Sequence, residues 1–396
     1  MEMLQASISI RTVSKLPFCY IRKSNLFSLR EVGPQLCSCT GPNSSVSRLM
    51  AKDEMDAAVC SRPMEIEVKR VPRPKPRGNE ALIEIRAAAV CRSDISGYLG
   101  KHPLVTYPNI LGHECSGVVA EVGPDVKGLE IGQEVAVETF FELCGRCPGC
   151  RSGQYNTCKS PKIIGHNVPG AFAEYMLANA SFLHPKPSNA SFEEAALVEP
   201  LSVAVHAVKR CGIGIGETVA IIGAGAIGLL TLQVSKLAGA VVSVMDVVQS
   251  KLAMAKNFGA ELVVDASSRD AIAKMLDATS GEGYDYVVEA VGSPQTLRET
   301  TELARAGGTI MCIGFTGRDV DEISLGKITL QEMKLLGILG FCRDYPTSID
   351  LISRKRVQLK PLITHTFSLK ETEKAIRFVI DRPAEVIRAI IKPRSD

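Results

Sequence analysis

The stretch Thr218-Val219-Ala220-Ile221-Ile222-Gly223-Ala224-Gly225-Ala226-Ile227-Gly228 decides the fold. Five residues suited to a buried strand run straight into Gly-x-Gly-x-x-Gly, and a helical pattern follows to about residue 237. Glycines there permit a tight turn and close backbone approach. A pyrophosphate can then rest on the helix N-terminus, where free N–H groups and the dipole favour an anion. Gly223, Gly225, Ile227 and Gly228 are therefore candidate dinucleotide contacts. Asp246 lies 23 residues beyond Gly223, at the end of the next expected strand. A carboxylate placed there accepts the ribose hydroxyls of NAD and repels the extra phosphate of NADP. Lys251, close by in sequence, is a further candidate cofactor contact and a cation that weakens this discrimination.

Outward from that turn the strand–helix alternation continues, with strands expected at 241–245, 261–264, 284–290, 309–313 and 335–339, and helices at 250–258, 270–278 and 295–304. This rhythm predicts a doubly wound parallel sheet over residues 206–344. Residues 51–205 read differently. Short apolar alternations such as Met64-Glu65-Ile66-Glu67-Val68 are separated by Pro72, Pro74, Pro76 and Gly78, which is strand-and-turn chemistry. One helix is expected at 191–209. After residue 345 the β pattern returns, and residues 345–396 are expected to rejoin the β-rich domain.

The 396 residues are 45% apolar and 22% charged, which describes two ordinary globular domains rather than a disordered chain. A formal net charge of +3, from 46 basic and 43 acidic residues, gives no reason to expect nucleic-acid binding. Basic excess is local. Residues 1–48 carry Arg11, Lys15, Arg22, Lys23, Arg30 and Arg48 against Glu2 and Glu31, in a Ser- and Thr-rich context. That composition suggests an organelle transit peptide over residues 1–50, plastid rather than mitochondrial, with a disordered tail on a cytoplasmic protein as the other reading. No apolar run is long enough for a membrane helix.

Of the 13 cysteines, Cys144, Cys147, Cys150 and Cys158 fall within fifteen residues. Thiolates at such spacing, on a turn marked by Gly145, Pro148 and Gly149, can close around one tetrahedral ion, and a four-cysteine zinc site is expected rather than two disulfides. Four thiolates leave no position open, so this zinc should be structural. A second set is scattered: Cys91, His113, Glu114 and Glu199. Gly112-His113-Glu114 joins an imidazole to a carboxylate, and Glu199-Pro200 places another at a rigid junction. A catalytic zinc needs about three protein ligands and one open position, which this set can supply.

These residues, in this order, resemble the zinc-dependent medium-chain dehydrogenase/reductase (alcohol dehydrogenase) family over nearly all of residues 55–396, and most closely its polyol (sorbitol) dehydrogenase branch. The resemblance is carried by Cys91-Arg92-Ser93-Asp94, Gly112-His113-Glu114, the cysteine ribbon, Ala196-Leu197-Val198-Glu199-Pro200-Leu201 and the glycine turn. Glu199 marks the branch, since ordinary alcohol dehydrogenases of the family have cysteine there. The resemblance implies a GroES-like β-rich catalytic domain beside a Rossmann domain, an α/β chain with two zinc ions and NAD. It further implies that Cys91, His113 and Glu114 or Glu199 surround the catalytic zinc, that Ser93 takes the alcohol proton, that Arg92 contacts the cofactor pyrophosphate and that Asp94 orients a ligand. Relatives often carry a relay histidine where this chain has Ser96, so protons must leave by water, the cofactor ribose or another group.

The expected reaction is hydride transfer between a small secondary alcohol or polyol, or its ketone, and NAD, in a homodimer or homotetramer with no nucleic-acid or membrane partner. L-Threonine or a specialised secondary alcohol is the nearest alternative substrate. A zinc-free NADPH quinone reductase and a non-catalytic protein on the same fold are the others. Tyr98, Phe140 and Phe315 are candidate walls of the substrate pocket, with core packing as the alternative for Tyr98 and Phe140.

Overall fold

The computed structural model describes residues 53–314 and 323–394, which fall in one compact unit. The proposed targeting segment and Phe315 lie outside the described residues.

Thr218–Ile222 is a strand with its last four residues buried, and it forms the centre of a six-stranded parallel sheet. The order is Leu262–Asp265, Val241–Asp246, Thr218–Ile222, Tyr284–Glu289, Ala304–Cys312, Lys334–Gly337. Strand order thus reverses beside Thr218–Ile222. At such a reversal the crossovers leave in opposite directions and open a crevice at the carboxyl ends of the strands. The glycine turn feeds that crevice. Gly223 adopts φ +101°, a left-handed conformation that strains any side chain, and a Cβ on Gly228 would lie 1.9 Å from the Gly223 carbonyl oxygen. Strand and helix can cross this closely only without side chains. The helix Ala226–Leu237 follows, and its apolar residues Leu229, Leu230 and Leu232 are fully buried.

A second, seven-stranded sheet carries the other half of the molecule. Its path is Leu183–Pro185, Glu134–Val137, Glu114–Val122, Glu80–Ala89, Arg388–Lys392, Ile363–Ser368, with Tyr175–Asn179 also pairing with Glu80–Ala89. Arg388–Lys392 comes from the far end of the chain, and Ile390 pairs with Ala89. The expected return of the C-terminal segment to the β-rich half is therefore seen as strand pairing. Burial of Ile83, Ile85, Ala87 and Ala88 on this sheet supplies much of its core.

The helix expected at 191–209 is two helices, Phe192–Ala196 and Val198–Cys211. Leu197 closes one and opens the other with φ −81° and ψ 2°. Pro200 explains why the second can start here, because a proline in the first turn gives up an N–H that has no helical partner. The break places Glu199 in the first turn of Val198–Cys211, where a carboxylate meets unpaired N–H groups.

Candidate active site and zinc centres

Cys91 caps the short helix Arg92–Tyr98, and the carboxylate of Asp94 folds back to accept the Cys91 N–H at 2.9 Å. The other Asp94 oxygen accepts the Gly112 N–H at 3.0 Å and lies 3.2 Å from His113 Nδ1. One fully buried carboxylate thereby ties together two segments some twenty residues apart. Nε2 of His113 is left facing Ser93, whose Oγ is 3.3 Å away. Ligand atoms of Cys91, His113 and Glu114 all lie within 4.8 Å of one another.

The surroundings of this trio are charged and dry. Glu114 is fully buried and pairs through Oε1 with Arg388 Nη2 at 2.9 Å, while its Oε2 has no hydrogen-bond partner among the described residues. A buried carboxylate oxygen without a donor is costly, and a cation beside it removes the cost. Glu199 stands outside the trio's ligand distance, with Oε1 3.4 Å from Thr139 Oγ1. Burial, with the Glu114 carboxylate adding to it, pushes Glu199 up to about 7. At His113 burial opposes a charged ring, but Asp94 and then Cys91 outweigh it and raise the imidazole well above its ordinary value. Burial pushes the Cys91 thiol up, with the Glu114 carboxylate adding to it. Two carboxylates, a sulfur and an imidazole crowded together in low dielectric form a set whose chemistry fits a divalent cation.

The ribbon is built otherwise. Sγ atoms of Cys144, Cys147, Cys150 and Cys158 lie within 4.8 Å of one another, and Cys144 Sγ is 3.9 Å from Cys150 Sγ. Zn–S bonds of about 2.3 Å in a tetrahedron give an edge of about 3.8 Å, whereas a disulfide would be about 2.05 Å. All four cysteines are free, so the disulfide reading fails. N–H groups of Cys150 and Lys159 draw the Cys147 thiol down to about 6, towards the thiolate that a metal requires. The lobe is anchored from the far half of the chain. Cys342 Sγ donates to the Gly153 carbonyl at 2.9 Å, the Arg343 N–H donates to Tyr155 Oη at 2.8 Å, and Asn156 Nδ2 donates to the Leu339 carbonyl at 2.8 Å.

At the glycine turn, Asp246 ends its strand as expected. One of its oxygens accepts the Ala224 N–H at 2.6 Å and the other the Val248 N–H at 2.8 Å, which fixes the carboxylate at the mouth of the crevice. Lys251 Nζ donates to the Pro383 carbonyl at 2.8 Å, and burial lowers its pKa against the opposing pull of Asp246. Of the expected cofactor contacts, Asp246 is thus bonded directly to the turn through the Ala224 N–H.

The sequence profile described as alcohol dehydrogenase GroES-like domain matches residues 77–188, and that described as zinc-binding dehydrogenase matches residues 226–354. The sorbitol dehydrogenase of Bacillus subtilis is 32% identical over 345 residues, covering 86% of this chain and 97% of the relative. The chain belongs to the zinc-dependent alcohol and polyol dehydrogenase family. A zinc-binding dehydrogenase from Sinorhizobium meliloti, solved with NADP, superposes with a TM-score of 0.80 at 32% identity, over 86% of this chain and 99% of that one. An Escherichia coli alcohol dehydrogenase solved with NADH gives 0.80 at 27%, with the same coverage. Zinc and a nicotinamide cofactor thus belong to the family, in either cofactor form.

The sequence leaves Tyr98 and Phe140 open between pocket wall and core, and both lie in core clusters. The Tyr98 side chain is packed into the core, and its hydroxyl is held by the Met64 carbonyl and Glu373, each at 3.2 Å. Phe140 packs edge-on against Tyr155 and Phe341 in the other core cluster. Both are core residues because each is enclosed by partners from distant segments. Two residues near the site escaped the sequence reading. Arg388 pairs with a carboxylate 274 residues away, and His166 packs its ring 5.1 Å from that of His113. Only Gly165, just before His166, hinted at a special backbone position.

Proposed function

We propose that the protein is a zinc-dependent, NAD-linked dehydrogenase that exchanges a hydride with a polyol or another secondary alcohol, or with the matching ketone. The convergence of Cys91, His113 and Glu114 within 4.8 Å carries this reading, because three unlike donors leave one position open for a substrate oxygen. Zinc held there would lower the pKa of a coordinated alcohol, which eases hydride departure near neutral pH. Glu199 is the fourth member of the site and, standing outside the trio's ligand distance, would act through water.

The chain's own groups do the remaining work. Ser93 would take the alcohol proton, and its Oγ, 3.3 Å from Nε2 of His113, supports that role. Asp94 holds His113 through Nδ1, which fixes the ring's tautomer and turns Nε2 inwards. Arg388 balances the charge of Glu114. The glycine turn and Arg92 would hold the pyrophosphate, and Asp246 favours NAD over NADP by placing a carboxylate where a 2′-phosphate would sit. The reactive ring of the cofactor would then lie in the crevice between a catalytic domain of residues 51–205 and 345–396 and a cofactor domain of residues 206–344. The four ribbon cysteines would hold a second, structural zinc, and the protein would act as a homodimer or homotetramer.

Nucleotide reduction across polyols, simple secondary alcohols and L-threonine, with zinc measured on the same sample, tests the reading. Expected are about two zinc ions per chain, turnover of a polyol and a preference for NAD over NADP. Turnover by zinc-free protein would overturn it, and a preference for L-threonine would move the substrate within the family.

A further inference from the structure

His166 is 7% exposed, and neither ring nitrogen has a hydrogen-bond partner among the described residues. Buried polar atoms are nearly always paired, because an unpaired one has lost its water and gained nothing in return. Two on one ring call for an occupant. The ring lies between His113, at 5.1 Å between centroids, and His102, at 4.4 Å. It therefore stands beside one of the three converging ligand side chains.

The backbone puts it there with little freedom. The His166 N–H donates to the Ile163 carbonyl at 3.1 Å, while its carbonyl accepts the Thr106 N–H at 3.0 Å and Asn109 Nδ2 at 2.7 Å. The loop also rides directly on Gly112, the residue before His113. A Cβ on Gly165 would lie 2.6 Å from the Gly112 carbonyl oxygen, and one on Gly170 would lie 2.3 Å from it. So close an approach, with each main-chain group satisfied, makes the position of the imidazole a built feature. Only its two nitrogens are left open.

We infer that His166 is a substrate-binding residue, whose imidazole receives a second hydroxyl of the substrate on a carbon next to the one that reacts. The inference rests on the polyol reading above and adds to it the group that would distinguish a polyol from a simple alcohol. Either imidazole nitrogen can take a hydroxyl, one by donating to it and the other by accepting from it, so one nitrogen suits the substrate hydroxyl and the other a water or a further hydroxyl of the same substrate. A carboxylate offers acceptors only, so it suits the protonated nitrogen alone, whereas a hydroxyl suits either. Sites that hydrogen-bond a substrate hydroxyl discriminate against analogues lacking it, because the protein group is then left unpaired.

Butane-2,3-diol and butan-2-ol differ by that one hydroxyl and make the test. Their kcat/KM values are compared for the zinc-loaded wild type, His166→Leu and His166→Gln, with zinc content measured for each. Dead-end binding of both alcohols to the enzyme–NADH complex is followed by NADH fluorescence, in a chain that has no tryptophan. Wild type should favour the diol. His166→Leu should lower kcat/KM and dead-end affinity for the diol by about 10- to 100-fold, leave butan-2-ol within about threefold, and keep its zinc. His166→Gln, which retains a donor and an acceptor, should recover part of the loss. A diol preference that survives His166→Leu would assign the open nitrogens to water and overturn the inference while leaving the polyol reading intact. Equal losses for both alcohols, or loss of zinc in both variants, would make His166 a support for His113 and overturn it too. No diol preference in the wild type would end the inference and the polyol reading together.

Discussion

The two metal-ligand clusters of this molecule are opposites. The ribbon gathers four like donors from fifteen consecutive residues on an outlying lobe. The dispersed set takes three unlike donors from two separate segments, and Glu114 within it is paired with an arginine from the other end of the chain. Local spacing is enough to build a closed site. An open site needs more, because a position left free for substrate has to be kept from collapsing. Here that work falls to groups that touch the ligands without being ligands: Asp94 binds the Cys91 and Gly112 amides and the His113 ring, and Arg388 pairs with Glu114. Among the described residues the ribbon's thiols have no such buried ionic frame.

The difference can be broken most sharply by exchanging the loss. Cys91→Ala should bring turnover to the level of the blank while NAD still binds, measured by nucleotide reduction and by fluorescence titration. Cys147→Ser should instead lower the unfolding midpoint or disturb assembly before it changes the chemical step. If the stable, fully assembled ribbon variant lost the chemistry selectively, the division of labour would be wrong. Arg388→Met comes next. It strands the buried Glu114 carboxylate at a cost of about 3–5 kcal/mol, visible in urea unfolding, and adding Glu114→Gln should recover much of the loss. Recovery would show that the ion pair serves to hold a charge in place, which the ribbon never has to do.

Legibility follows the same divide. The turn at residues 223–228 could be read because strand, glycines and helix are contiguous, and the ribbon because its spacing is local. Cys91, His113, Glu114 and Glu199 stood out only through short contexts, and of these the structure brings the first three to ligand distance of one another. Arg388 lies 274 residues from its partner, in a strand that reads as plain Arg-Ala-Ile-Ile-Lys, and nothing local marks it. His166 was hidden for the same reason, since its neighbours His102 and His113 arrive from other segments. Tyr98 shows the converse case, in which the sequence leaves pocket wall and core packing both open. An aromatic near a candidate ligand invites a pocket role, yet a hydroxyl that finds a carbonyl and a carboxylate in the core is a packing residue. The Leu197 break was missed because a single helical pattern spans it, and only the backbone dihedrals separate the two helices.

The smallest expected effect concerns how the ribbon lobe is fastened. Asp344 is 3% exposed and accepts hydrogen bonds from Lys209 Nζ at 3.1 Å and the Cys342 N–H at 2.9 Å, with His206 Nδ1 at 3.0 Å. It thereby fixes the segment whose Cys342 and Arg343 hold the lobe at Gly153 and Tyr155. Burial alone would raise its pKa, but the contacts from His206, Cys342 and Lys209 outweigh burial and hold the carboxyl below the ordinary value. A depressed carboxyl contributes stability that is complete above its unfolded pKa, about 3.9, and is lost as pH falls through the lower folded value. Asp344→Asn should therefore cost about 1–2 kcal/mol at pH 7. In urea unfolding the gap from wild type should stay constant down to about pH 5 and shrink below about pH 4. Loss of zinc in acid would affect both proteins alike and leave the gap as the readout. If the lobe is a separate fixture, kcat/KM at pH 7 should stay within about twofold, since Asp344 touches none of the dispersed ligands and surface-remote losses of this size rarely couple. A larger fall in kcat/KM with unchanged stability would mean that the lobe's anchor reaches the reacting site, and the two clusters would then have to be treated as one.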